Sequence, residues 1–311
     1  MGLADRTPTT PQEYARFPER FSNWGRWGAD DQRGTVNFVT LEVSAHAASL
    51  ARLGRVVSLA LPIGPTRASL ESGFSHEMSV GAAASGDTLH MRFHGWSITH
   101  LDSLCHMFTG PGGQLYNGRP ASDVDAEGAR SGSVEAFAGG IVTRGVLYDV
   151  PRHRGVPHVT LGAPVHGWEL ADIAAAQGVT PRPGDAVIIR SGAAAFYAST
   201  PEFGWGMAGQ MPGVHATAVE FLHATDAALV IWDLLEAGAT GLPSRLREGG
   251  EAIPLHEIAI PFMGMPLVDN ADLEALASTC AELGRWEFLL TLAPLPVVGG
   301  TGSPVNPLAV F

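Results

Sequence analysis

The stretch HGWSITHLDSLCH, residues 94–106, carries His94, His100, Asp102 and His106 within thirteen residues. Imidazole and carboxylate are the usual ligands of Zn²⁺, Mn²⁺ and Fe²⁺, and the same groups move protons in acid–base catalysis. In an extended segment His100 and Asp102, two apart, project from one face. A helical turn brings His106, at i+4 from Asp102, back toward that face. His94 reaches the same point if the GWSIT that follows it forms a bulge or short loop. A lone histidine is more often a hydrogen-bonded core or surface residue, but this clustering argues for a metal or catalytic site. A rival lies inside the stretch, because Cys105 could serve as a thiolate nucleophile. Adjacent residues on a helix diverge by about 100 degrees, so Cys105 and His106 do not readily share a proton. A small buried apolar role suits Cys105 better.

The elements that must position these groups can be read from periodicity. TLHMRFHG (88–95) alternates as a strand, with His90, Arg92 and His94 on one face. SLCHMFTG (103–110) suggests one or two helical turns. Upstream, residues 1–35 read as an irregular arm containing Trp24 and Trp27, residues 40–54 as a helix and 55–64 as a strand. Residues 66–88 read as a loop or flap. Further on, strands at 139–150, 186–192, 227–233 and 286–300 alternate with helices at 166–179, 213–225 and 271–284. Residues 253–270 mix both signals, and TGSPVNPLAVF reads as a turn-rich tail. That alternation argues an α/β class with parallel pairings in the second half. With no repeat or linker, the organisation is an arm over residues 1–35 and a single domain over 36–311.

Composition narrows the chemistry. The formal net charge is −12, and all nineteen positive charges are arginine. Binding a nucleic-acid backbone needs a basic stripe, and none is present. Without lysine there is no Schiff-base, P-loop or Ser–Lys chemistry, which leaves proton transfer to His, Asp, Glu, Tyr or Cys. Two cysteines are too few for a disulfide framework. With a polar N-terminus and no long apolar run, the expectation is a soluble cytoplasmic protein with no membrane partner.

HGWSITHLDSLCH resembles the signature of the metal-dependent cyclase-like hydrolases, the family of bacterial kynurenine formamidase and isatin hydrolase. Its hallmark is His-x-Gly-Thr-His-x-Asp-x-Pro-x-His, and Thr99, His100, Asp102 and His106 match its later polar positions. GTVNFVT, GGIVTRGVLYDV, RPGDAVIIRSG, PLHEIAIPFMGMPLVDNADLEAL and TGSPVNPLAV resemble further landmarks in the family's order, so the resemblance spans roughly residues 24–311. Two departures stand out. The hallmark's first histidine position holds Trp96, and the nearest substitute is His94, as in longer members with an HGxxxTHLD variant. Where the family supplies a late His and a Glu, this chain offers His256 and Asp269. Taken alone, those two could be a buried hydrogen-bonded pair, with Asp269 capping the following helix.

The resemblance implies a swivelling β/β/α domain, a mixed sheet with surrounding helices, and a homodimer or homotetramer. It implies one or two Zn or Mn ions held by His94, His100, Asp102, His256 and Asp269, with His106 catalytic and not a ligand. The activity implied is hydrolysis of an amide or lactam in a small molecule, metal-activated water attacking and His106 shuttling the proton. Trp24, Trp27 and Trp96, with Phe74 and Trp205, are candidates for a flat pocket suited to an aromatic or cyclic substrate, or are simply core. Arg92 and Arg190 could pair with a substrate carboxylate or with an internal acid. A cyclase or dehydratase using the same site, and a metal-free binding relative, are the alternatives.

Overall fold

A computed structural model describes residues 2–65, 73–203 and 209–311. Its centre is a nine-stranded mixed sheet in the order β1-β13-β11-β7-β8-β9-β10-β4-β12. Four strands run parallel: β7 (Ile141–Asp149), β8 (Ala186–Arg190), β9 (Leu229–Trp232) and β10 (Leu267–Asp269). Antiparallel strands flank them. On one side lie β11 (Glu287–Leu292), β13 (Leu308–Val310) and β1 (Val56–Ser58). On the other lie β4 (His100–Asp102) and β12 (Gly302–Pro304). A separate ribbon pairs β5 (Val124–Asp125) with β6 (Gly128–Ala129).

The central parallel strands β8 and β9 are apolar on both faces because helices cover both. Along β9, Val230 and Trp232 enter one core, with Val187, Ile189 and Leu267. Leu229 and Ile231 enter the other, with Ile188, Val268 and Leu101. The first core is roofed by the helices Gly167–Gln177 and Thr217–Ala224 and a π-helix, Leu255–Met263. The second is closed by the helix Glu274–Leu283 through Leu276, Ala277 and Cys280. Among the described residues no helix is long and apolar enough to cross a membrane.

Several local expectations change. The N-terminal segment is not irregular: Gly2–Asp5, Pro11–Ala15 and Phe17–Phe21 are helical, the second started by a Thr10–Glu13 capping box. Tyr14, Phe17 and Phe21 sink into the first core, so apolar anchoring decides what loop-like composition hid. The strand expected through His94 ends at His90. It is β3 (Ser85–His90) of a separate hairpin with β2 (Ser75–Val80), which replaces most of the expected flap. Residues 66–72 of that stretch lie outside the described residues. No helix forms over 103–110; a turn closes from the His106 N–H to the Ser103 carbonyl at 3.1 Å. The turn-rich tail supplies β12 and β13, sheet pairing overriding its glycines and prolines.

Candidate metal centre

The short strand β4 carries the centre. Sandwiched between β10 and β12, it sets Asp269 opposite His100 and Gly302 opposite Asp102. Strand alternation then turns His100, Asp102 and Asp269 to one face while Leu101 and Val268 enter the second core. The loop 91–99 delivers His94, and Asn270 shapes it by donating from Nδ2 to the carbonyls of Gly95 (2.5 Å) and Ile98 (3.1 Å). The 103–106 turn returns His106, doing what a helical turn was expected to do. His256 arrives from the π-helix, a form found often at functional sites. Pro261 lies inside this helix, where it removes a backbone donor.

Asp102 is fully buried, and neither carboxylate oxygen receives a hydrogen bond. Four imidazole nitrogens face it instead. His94 Nδ1 lies 2.8 Å and His100 Nε2 3.4 Å from Oδ1, while His256 Nε2 lies 3.4 Å and His106 Nε2 3.9 Å from Oδ2. His256 Nε2 is also 3.3 Å from Oδ2 of Asp269. Despite its closeness, His94 Nδ1 has no hydrogen-bond geometry to any partner. Unsatisfied buried polar atoms are costly, so converging orphans of this kind suit a shared cation. Two donor groups with atoms within 4.8 Å of one another stand out, His94–Asp102–His106 and His100–Asp102–Asp269, and both use Asp102. Nitrogen and carboxylate donors in this mixture fit a divalent ion.

Outer partners orient most of the donors. His94 Nε2 meets the Thr301 hydroxyl at 2.9 Å, and His100 Nδ1–H donates to the Ile98 carbonyl at 2.8 Å. Similarly, His256 Nδ1–H donates to Glu236 at 2.8 Å, and the Trp232 indole N–H donates to Asp269 Oδ1 at 2.5 Å. The His106 ring has no hydrogen-bond partner among the described residues and stacks on His94, ring centres 4.0 Å apart and planes 6° from parallel. Burial opposes every charge here. It is outweighed at Asp102, whose surrounding histidines, His106 foremost, hold its carboxyl well below the usual range. At His256, Glu236 and Asp269 overcome burial and hold the ring well above the ordinary histidine value. At His106 burial prevails and pushes the imidazole down to about 4.

His94, His100, Asp102, His106, His256 and Asp269 are thus brought together. Asp269 does not cap the following helix, whose N-cap is Leu273. Trp96 shares the His94 loop, stacks on Phe203 and lines a pocket of about 140 Å³ with Tyr197, Asp233 and Asn270. Trp24 stacks on Phe262, and its indole N–H is taken by the Pro261 carbonyl at 2.8 Å, both on the helix that carries His256. Trp27 packs edge-on against Phe38, and Phe74 is buried. Trp205 lies outside the described residues. Arg190 is held by Asp149 and Glu274, while Arg92 is exposed. Cys105 is buried, and burial pushes its thiol up, the wrong direction for a nucleophile. Sequence reasoning missed Glu236, Trp232, Thr301 and Asn270, whose roles depend on partners far away in the chain.

A family model described as "Putative cyclase" matches residues 30–238. The chain is 28% identical to a protein described as a novel cyclase, whose crystal structure superposes with a TM-score of 0.80 over 94% of this chain and 99% of that one. An isatin hydrolase bound to the product analogue thioisatinate gives a TM-score of 0.58 at 16% identity, over 87% of this chain and 97% of its own. Isatin hydrolase A from Ralstonia solanacearum gives 0.56 at 19% identity, with the same coverage. These two likenesses establish shared fold alone. No curated protein matches the chain.

Proposed function

Because the chain belongs to the cyclase family, we propose that it is a metal-dependent hydrolase opening an amide or lactam bond in a small aromatic or cyclic substrate. The observation that carries the reading is Asp102: a buried carboxylate with no hydrogen-bond donor, ringed by four imidazoles. His94, His100, Asp102, His256 and Asp269 would hold one or two ions, Zn or Mn. A divalent ion there supplies Lewis acidity, polarising a carbonyl and making water a better nucleophile.

The chain's own groups supply the rest. An amide has a poor leaving group, so the departing nitrogen needs a proton. The His106 ring, facing Asp102 and in no hydrogen bond among the described residues, takes a proton from the attacking water and returns it to that nitrogen. Water adds across the C–N bond, giving a carboxylic acid and an amine. Trp96 and Phe203 offer a flat wall beside the His94 loop on which an aromatic substrate could stack. The proposal includes a homodimer or homotetramer located in the cytoplasm, read by light scattering and cell fractionation.

Metal content by elemental mass spectrometry, on protein prepared without chelator or affinity nickel, tests the site, with His100→Ala as control. About one or two equivalents of Zn or Mn, lost in the variant, are expected. Protein that takes up no divalent ion on reconstitution refutes the reading. A second reading, ring closure with loss of water, is favoured by the relative described as a novel cyclase. Labelled water separates the two: hydrolysis places one solvent oxygen in the product, and ring closure places none.

A further inference from the structure

We propose that Glu236 is a positioning residue for His256, fixing which ring nitrogen faces the candidate metal centre; the inference rests on the reading of that centre given above. Glu236 follows β9 by four residues and is 6% exposed. Its backbone is held on both sides: the Val214 N–H donates to the Leu235 carbonyl at 2.9 Å, and the Ala237 N–H to the Val214 carbonyl at 3.0 Å. Just before it, Asp233 accepts the N–H groups of Ser191, Gly192, Ala193 and Leu234. The side chain therefore projects from a fixed base.

One carboxylate oxygen of Glu236 grips His256 twice, accepting its backbone N–H at 3.0 Å and its ring Nδ1–H at 2.8 Å. The ring lies against Trp232, centres 6.0 Å apart and planes 25° from parallel. With Nδ1 committed, Nε2 faces Asp102 and Asp269. A flipped ring would set carbon against the carboxylate and turn its nitrogens away from both acids.

The charge is informative too. A glutamine could accept the same two bonds without the cost of burying a third carboxylate beside Asp102 and Asp269. The ion-pair partner of Glu236 is His256 itself. An anion behind an imidazole makes the far nitrogen a stronger donor to a cation, which gives the buried charge a role that a structural strut would lack.

The test uses the full chain stripped of metal, as wild type, Glu236→Gln and Glu236→Ala, with folding checked by circular dichroism. Zn²⁺ and Mn²⁺ are titrated alone against a chromogenic chelator. Glu236→Ala should weaken ion binding by about 10- to 100-fold, with Glu236→Gln between it and wild type. In histidine-¹⁵N-labelled protein, the hydrogen-bonded His256 Nδ1–H gives a low-field, exchange-protected proton signal, assigned by its loss in His256→Asn. That signal should persist in Glu236→Gln and vanish in Glu236→Ala. Folded Glu236→Ala that keeps the signal, or binds ion as tightly as wild type, overturns the proposal. Wild type that binds no ion yet loses the signal in Glu236→Ala overturns the metal reading and upholds Glu236 as the group that positions His256.

Discussion

Gly302→Ala should damage the centre without replacing any donor. Gly302 sits in β12 opposite Asp102, and a Cβ there would lie 2.3 Å from the Leu101 carbonyl oxygen and 3.0 Å from the His94 ring. The shortfall from van der Waals contact with the carbonyl is roughly 1 Å. That oxygen is backbone in a strand fixed on its other side by β10, so β12 must yield. When it does, it carries away Thr301, whose hydroxyl orients His94 at 2.9 Å. Overpacking of this kind costs about 1–3 kcal/mol, and a misplacement of about 1 Å at a reacting centre costs up to ~10²-fold in rate. The expected result is a melting temperature a few degrees lower, weaker Zn²⁺ binding by chelator competition, and turnover reduced by one to two decades. A folded Gly302→Ala protein with wild-type ion affinity and turnover would refute the argument that β12 holds His94 in place.

His106→Ala should keep its metal by mass spectrometry and lose about 10²- to 10⁴-fold in turnover; loss within a few-fold removes His106 as the shuttle. Cys105→Ser should retain metal and turnover within a few-fold, at a stability cost of roughly 1–3 kcal/mol for a hydroxyl in its place; lost turnover with metal still bound would revive the thiol. His166 and His215, whose rings meet at a tilt of 45° with centres 4.5 Å apart and which burial pushes from 6.5 to about 4, make the fold acid-sensitive. The unfolded chain binds their protons first, so stability is intact above about pH 6.5 and declines toward about pH 4. The loss reaches about 3 kcal/mol for buried His215 and less for the more solvated His166. Urea midpoints at neutral pH and about pH 5 should therefore move less for His215→Asn than for wild type, and equal shifts would be contrary evidence.

What the sequence disclosed follows from how local each signal is. His100, Asp102 and His106 lie within seven residues, so spacing alone placed them together. The long strands of the second half were legible because β8 and β9 are apolar on both faces, and glycines 178 and 284 marked helix ends with left-handed caps. His94 was named on a strand that stops at His90, because alternation continues past the point where pairing partners run out. His256 and Asp269 needed the family resemblance, since their meeting depends on β10 lying beside β4. Glu236 was invisible for a related reason: an acid in WDLLEAG announces nothing until the π-helix brings a histidine 2.8 Å away. The N-terminal helices hid in loop-like composition because Tyr14, Phe17 and Phe21 fold there by docking, not by propensity.

The placement of β12 and β13 bears on how the molecule is built in time. These strands, only a few residues apart in the chain, separate to distant parts of the sheet: β13 inserts between β1 and β11, while β12 seals the edge beside β4. A ribosome delivers the chain from its N-terminus, so every element from β1 to β11 emerges while both slots stand open. Until residues 301–304 arrive, His94 has no Thr301 to hold it, and β4 has a bare backbone edge where Gly302 and Pro304 will pair. An exposed edge invites wrong partners, and a half-formed set of donors can take up an ion in the wrong geometry. The centre is thus among the final parts of the described chain to be completed during synthesis.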